Sequence, residues 1–302
     1  MSGVSQSDTS LLCALALVLW TAATGCAIQP AEKPSNIVLI GWDGAQHEHV
    51  KECLGRNELP NLKMLASEGG MEEIMVHGQT ETEPGFARIL TGYKSETNRV
   101  LSNSNVGVIP KGYTVFERLE NHFGAENFVT IALVAKGHRL NSSTPEKPYY
   151  NAGQAADVFR NGILDDKKVA SEASALLEKY KDRPFFMFLQ FASPDTCGHS
   201  CGENSAEYND ALILCDKLTG DVIFKLKELG IYEKTIIYVT ADHGFDEGQK
   251  GHSYAPYVFI TTNDPRGVRP GVQTEITPTI LDRLGIDTDK IEPPYDGKPL
   301  TK

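Results

Sequence analysis

The chain has 302 residues, room for one large α/β domain or two small ones. With 40% hydrophobic and 23% charged residues and no internal repeat or low-complexity tract, it has the composition of an ordinary soluble globular enzyme. A formal net charge of −11 excludes nucleic acid and anionic membrane as non-specific partners. It would also repel a phosphate ester, so such a substrate needs a local positive source such as bound metal ions.

Residues Leu11 to Ala23 are uncharged and mostly apolar. The run is shorter than the roughly 20 residues of a membrane span and suits the apolar core of an export signal. Ala23-Thr24-Gly25-Cys26 follows and resembles a bacterial lipoprotein box, with Cys26 as the lipid-bearing first residue of the mature chain. Position 23 is Ala where Leu is usual, and no Lys or Arg precedes the apolar run. The expected division is a signal over 1–26, a linker over 27–35 and a catalytic domain over 36–302. Export to the periplasm or cell surface is expected, with the membrane met only through an amino-terminal lipid or anchor.

Apolar runs then alternate with amphipathic stretches. Ile37–Gly41, Phe128–Val134, Pro184–Phe191, Thr235–Thr240 and Tyr257–Thr261 read as strands. Their continuous apolar character suits a sheet covered on both faces. Ser205–Leu229 repeats apolar residues at steps of three and four and stops at Gly230, which predicts a helix. Lys167–Tyr180 and Glu275–Leu284 read as helices too. The alternation predicts a three-layer αβα sandwich with a mostly parallel central sheet.

Three aspartates stand just beyond strand carboxyl ends: Asp43, Asp195 and Asp242. That edge is where sites form in open α/β sheets. His199 lies four residues after Asp195, with Gly198 expected to make a tight turn between them. His243 adjoins Asp242, and His252 follows after Gly248-Gln249-Lys250-Gly251. Carboxylates and imidazoles without cysteine suit zinc first, with manganese or calcium as alternatives. His47, His49, His77, His122 and His138 are read as structural. Cys197 and Cys201 bracket the His199 motif and are expected to pair as a disulfide or to stay inert; Cys53 and Cys215 complete the mature thiols.

Thr82 is the candidate nucleophile. Pro84 suits an early helix position, so the helix over Pro84–Leu90 would begin at Thr82. The positive end of that helix favours an anionic oxygen, and metal coordination would bring the hydroxyl toward alkoxide near neutral pH. Thr80 is the nearby competitor. Glu81 and Glu83 flank Thr82, and nothing in the sequence accounts for two more carboxylates there.

The ordered set resembles the alkaline phosphatase superfamily, and in particular its type I phosphodiesterase/nucleotide pyrophosphatase branch. The resemblance is carried by Thr82-Glu83-Pro84 through Leu90-Thr91-Gly92, by Asp195-x-x-Gly198-His199, by Asp242-His243-Gly244, and by Thr277-Pro278-Thr279-Ile280-Leu281 with Leu284-Gly285-Ile286. It spans about Asn36 to Leu300. It implies an alkaline-phosphatase-like fold and two divalent metal ions about 4 Å apart. Asp43, Asp242, His243 and Thr82 would hold one ion, and Asp195, His199 and His252 the other. It further implies hydrolysis of a small phosphate ester through a covalent phosphothreonine. Gly85 stands where phosphodiesterase members commonly carry Asn. Asn103, Lys136 and Arg139 are similar to the substrate contacts of Thr-dependent phosphomonoesterase members. The Cys/Ser-x-Pro-Ser-Arg word of sulfatases is missing. Phosphomonoesterase and sulfatase-like hydrolysis are the alternatives within the superfamily. A phospho-group transferase and a non-catalytic metal-binding surface lipoprotein are the alternatives outside hydrolysis.

Overall fold

The structure, a computed structural model, describes residues 35–136 and 155–302 together with Gly3. The expected signal, Cys13, Cys26, most of the linker, His138 and Arg139 lie outside the described residues. Among the described residues no helix is long and apolar enough to cross a membrane.

Five expected strands form with small shifts at their ends. They are β1 (Asn36–Trp42), β5 (Val129–Val134), β7 (Phe185–Phe191), β8 (Thr235–Thr240) and β9 (Tyr257–Thr262). The sheet also takes up β2 (Met71–Met75), β6 (Val158–Asn161) and β10 (Gly271–Val272), in the order β10-β2-β9-β8-β1-β7-β5-β6. Pairing is parallel throughout except at β9, which runs antiparallel to both β8 and β2. β1, β5, β7 and β8 are buried along their whole length, which is why they read as unbroken apolar runs.

Helices cover both faces. On one lie α1 (His47–Gly55), α2 (Pro60–Gly69), α6 (Asp166–Tyr180), α7 (Ser193–Cys201) and α8 (Ala206–Glu228). On the other lie α3 (Thr82–Thr91), α4 (Ser95–Asn98), α5 (Val115–Phe123) and α9 (Ile276–Arg283). Trp42 at the end of β1 reaches Thr219 of α8 with its indole N–H, 3.3 Å. Phe188 of β7 packs edge-on against Phe86 of α3, ring centroids 5.6 Å apart. This is the three-layer αβα sandwich expected.

The longest helix shows why the pattern reads so clearly. Ser205 caps α8 by accepting the Tyr208 N–H, and Tyr208, Leu212, Cys215, Thr219, Val222 and Leu226 form its buried face. Gly230 follows at φ +67°, a left-handed conformation that a side chain resists. A two-stranded hairpin of β3 (Val100–Ser102) and β4 (Asn105–Val106) projects beside α3, with Asn103 in its turn.

Candidate active site

Asp43, Asp195 and Asp242 meet because their strands are neighbours. β1 pairs with β7 on one side and β8 on the other. The pairing continues past the strand ends: the Asp43 N–H donates to the Phe191 carbonyl and the Asp195 N–H to the Asp43 carbonyl, both at 2.9 Å. Gly44, at φ +74°, then turns its N–H onto Asp242 Oδ1, 3.1 Å. A Cβ at residue 44 would stand 2.9 Å from the Cα of Asp195, so the turn needs glycine twice over.

Asp195 and His199 share one face of α7 at the i,i+4 spacing. The tight turn expected at Gly198 is therefore corrected: that residue is helical. Its missing side chain has a different use, because a Cβ there would lie 2.5 Å from the Phe245 ring. Phe245 in turn packs against the rings of His199, His243 and His252. Cys197 and Cys201, on the same helix, are free thiols, as are Cys53 and Cys215.

Backbone carbonyls aim two of the imidazoles. His199 Nδ1 lies 2.9 Å from the Lys250 carbonyl, and Nε2 faces Asp195 Oδ1 at 3.4 Å. His243 Nδ1 lies 3.0 Å from the Gly244 carbonyl. Its Nε2 faces Asp43 Oδ1 and Asp195 Oδ1 at 3.6 Å each, and Asp242 Oδ2 at 3.5 Å. The His252 ring stacks on His243 with centroids 4.1 Å apart, and its Nε2 comes 3.2 Å from His199 Nε2. Burial pulls His243 down to about 3 and also lowers His252, so both stand neutral at pH 7. The hydrogen bond to Asp195 raises His199 instead.

Thr82 is the first residue of α3 and lies beneath this group. Its Oγ1 is 3.4 Å from His243 Nε2 and 3.5 Å from Asp43 Oδ1. The cap position belongs to Glu81, so the Thr82 hydroxyl is not spent on capping. Thr80, the competitor, donates its hydroxyl to the His252 carbonyl. The two flanking glutamates gain a partial account. Glu81 accepts the Asn103 N–H, and the Glu83 N–H donates to Asn103 Oδ1 at 2.9 Å. The hairpin turn is thereby docked on the helix amino end. Asn103 is placed there as a partner of the backbone beside Thr82.

The residues form two groups with metal-ligand spacing, Asp195/His199/His252 and Asp43/Asp195/His243, each with ligand atoms within 4.8 Å of one another. Asp195 stands in both, where the sequence reading assigned it to one. Asp242 Oδ2 is buried and accepts no hydrogen bond, and the buried Asp195 Oδ1 faces only the Nε2 atoms of His199 and His243 at 3.4 and 3.6 Å, which is costly for carboxylate oxygens unless a cation meets them. Neutral imidazoles, orphaned carboxylate oxygens and no thiolate fit divalent ions. Asp242 is pushed well above the usual carboxyl range by burial and by the Asp43 charge, the cost a cation would relieve.

Lys136 also enters the cluster. Its Nζ lies 2.6 Å from Asp195 Oδ2, 3.0 Å from Asp43 Oδ2 and 3.4 Å from Thr82 Oγ1. Burial opposes its charge, but Asp43, Asp195 and Asp242 outweigh that and hold the ammonium above its usual range.

Three residues of the site were not read from the sequence. Gln190 donates to Asp43 Oδ2 at 2.6 Å and accepts the Lys136 N–H at 3.0 Å. It is the single polar residue inside the apolar run of β7, which was the available signal. Arg88, fully buried in α3, bonds Gln273 Oε1, Ser95 Oγ and the Gln79 carbonyl. Gln273 then donates to the carbonyls of Ala241 and Asp242 at 3.2 and 2.7 Å. One guanidinium thus ties the helix of Thr82 to the turn of Asp242.

The model of the type I phosphodiesterase/nucleotide pyrophosphatase family matches residues 37–264. The chain belongs to that family. Bis(5'-adenosyl)-triphosphatase ENPP4 of Pongo abelii is 24% identical over 262 residues, covering 80% of this chain and 57% of that protein. The chain spans about half the length of the ENPP4 relatives it matches. Among solved structures, yidJ from Bacteroides fragilis superposes with a TM-score of 0.66 at 15% identity, covering 89% of this chain and 77% of that one. TAB5 alkaline phosphatase, solved as a His 135 Asp mutant with Mg bound, superposes with a TM-score of 0.61 at 13% identity, covering 85% of this chain and all of that one. The fold is that of the alkaline phosphatase superfamily.

Proposed function

We propose that this chain hydrolyses phosphate esters of the phosphodiester or nucleotide pyrophosphate type, with Thr82 as nucleophile. The observation that carries the reading is the approach of Thr82 Oγ1 to His243 Nε2 and Asp43 Oδ1, 3.4 and 3.5 Å, which sets the amino end of α3 against the residues that follow β8 and β1. Asp43, Asp242, His243 and Thr82 would hold one divalent ion, and Asp195, His199 and His252 the other. When bound, the pair would acidify the Thr82 hydroxyl and neutralise charge on the transferring and leaving oxygens.

The Thr82 hydroxyl loses its proton to solvent and its oxygen attacks phosphorus, while the bond to the leaving oxygen breaks on the opposite side and that oxygen takes a proton from solvent to depart as the alcohol or phosphate. The product is a phosphothreonine ester. Water then attacks the same phosphorus, the bond to Thr82 Oγ1 breaks, and the hydroxyl is restored by a proton. Burial on α3 holds the Thr82 oxygen in place through both displacements. His199, the exposed member of the cluster, lies on the side open to solvent, from which water and leaving group exchange.

A second reading, phosphomonoester hydrolysis, is favoured by Lys136. An ammonium 3.4 Å from the attacking oxygen can pair with the second negative charge that a monoester carries and a diester lacks. Arg139, outside the described residues, belongs to that reading too, as does the donor end of Asn103. We further read residues 36–302 as the catalytic domain of an exported chain, lipid-anchored at Cys26.

The test is a panel of bis(p-nitrophenyl) phosphate, p-nitrophenyl phosphate and p-nitrophenyl sulfate. Each is assayed after chelation and after return of zinc, manganese or calcium. Phosphate ester turnover that is lost on chelation and restored by metal supports the proposal. Turnover unaffected by chelation, or confined to the sulfate, refutes it. Lys136→Met separates the two readings. If the monoester is the substrate, its kcat/KM falls about 100-fold while the diester changes less than about tenfold. Equal losses on both would remove Lys136 from substrate discrimination.

A further inference from the structure

A third cluster of ligand-type side chains lies away from the site just described, at the amino end of α1. His47 opens that helix, Glu48 follows it, and Glu73 reaches across from β2. The three ligand atoms lie within 4.8 Å of one another. His47, read from the sequence as structural, is only 8% exposed, and its buried Nδ1 makes no well-formed hydrogen bond and faces the oxygens of Glu48 and Glu73. A buried neutral imidazole nitrogen set against two carboxylate oxygens costs free energy unless a cation meets all three.

The spacing says what would meet it. His47 Nδ1 is 3.2 Å from Glu48 Oε1 and 3.5 Å from Glu73 Oε2. A tetrahedral zinc ion with bonds of about 2.1 Å places its ligand atoms about 3.4 Å apart. We propose that His47, Glu48 and Glu73 form a third divalent-cation site of zinc type, with water completing the coordination. Burial lowers the His47 pKa and so leaves its imidazole neutral, the form that ligates. The Glu48 and Glu73 side chains are 60% and 46% exposed, which gives the ion an entry path. Lys51 is the local competitor, donating to Glu48 Oε1 and Oε2 at 3.1 and 3.0 Å, and its half-exposed, flexible stem lets it swing aside.

The site joins α1 to a strand near the sheet edge. The segment leading into α1 is the one that supports the active site: the Gly44 N–H holds Asp242, and the Gln46 N–H is held by the Tyr208 hydroxyl at 2.9 Å. A cation here is a structural clamp on that segment rather than a catalytic ion, and it does not depend on the phosphoesterase reading.

The experiment compares zinc content per chain, by elemental analysis after dialysis against dilute zinc, for the full-length wild type, His47→Ala and Glu73→Gln. The wild type is expected to hold one equivalent more than either variant. Its zinc-dependent rise in melting temperature should exceed theirs by about 5 °C. Turnover per chain should stay within about twofold, since none of these residues touches the Thr82 cluster. Equal zinc content in all three proteins overturns the proposal. So does a loss of zinc in His47→Ala that is not shared by Glu73→Gln, or a loss of turnover in proportion to zinc, which would place the missing ion in the catalytic pair.

Discussion

Thr82→Ala is expected to reduce turnover by about four orders of magnitude or more, with metal content and fold retained. The size follows from chemistry: an alanine methyl cannot form the phosphothreonine ester, so only direct attack by water remains. Retention of fold follows from position. Thr82 is the first residue of α3 but not its cap, and its oxygen faces His243, Asp43 and Lys136 rather than the helix backbone. Metal content is retained because three Asp and three His side chains stay in place. Thr82→Ser, which restores a hydroxyl, should recover a substantial part of the rate. Steady-state assays on the best ester of the panel, alongside elemental analysis, check both statements. Turnover within tenfold of wild type in Thr82→Ala would show that some other group makes the bond to phosphorus.

Gly85→Ala is expected to be the most damaging single-methyl addition near the site. A Cβ at residue 85 would stand 2.6 Å from the Asp242 carbonyl oxygen and 2.8 Å from the Asp242 Cβ. The carbonyl is part of the backbone and cannot rotate away; Gln273 also grips it at 2.7 Å. The helix of Thr82 must therefore shift off the turn that carries Asp242 and His243. In an exposed helix the same change would stabilise by about 1 kcal/mol through helix propensity. Here overpacking should reverse the sign and destabilise by about 1–3 kcal/mol. A displacement of order 1 Å between nucleophile and ligands should cost about 100-fold in kcat. Denaturant unfolding and kinetics together test it. A stabilised variant with unchanged kcat would mean that the close packing of α3 on Asp242 has no bearing on the reaction.

The same glycine marks how far the sequence could be read. From the sequence, Gly85 registered only as the absence of the asparagine that phosphodiesterase members carry. Its positive reason, room for a neighbouring backbone, depends on a contact with residue 242, far away in the chain. Gln190 and Arg88 are similar cases. A glutamine in an apolar strand and an arginine in a wholly buried helix are visible as anomalies. Their partners, Asp43 and Gln273, are not, because polar pairing across long sequence separations leaves no periodic trace. At Gly198 the sequence reading failed for a local reason: glycine permits a turn but does not demand one, and α7 continued through it.

What the sequence by itself determined is where along the chain the long buried strands lie, the helix expected over Ser205–Leu229, and the ordered motif set. The apolar runs carry a two-sided burial pattern, and the three aspartates stand beyond strand ends where a parallel sheet gathers them. What only the tertiary structure decided is which oxygen faces which imidazole. It also decided that Thr82 rather than Thr80 turns its hydroxyl to Asp43 and His243, that Lys136 enters the carboxylate cluster, and that His47 lies buried against two glutamates. Those outcomes rest on the strand order, with β1 lying between β7 and β8, and on contacts of a few ångströms between segments remote in sequence. Local residue preferences carry no information about them.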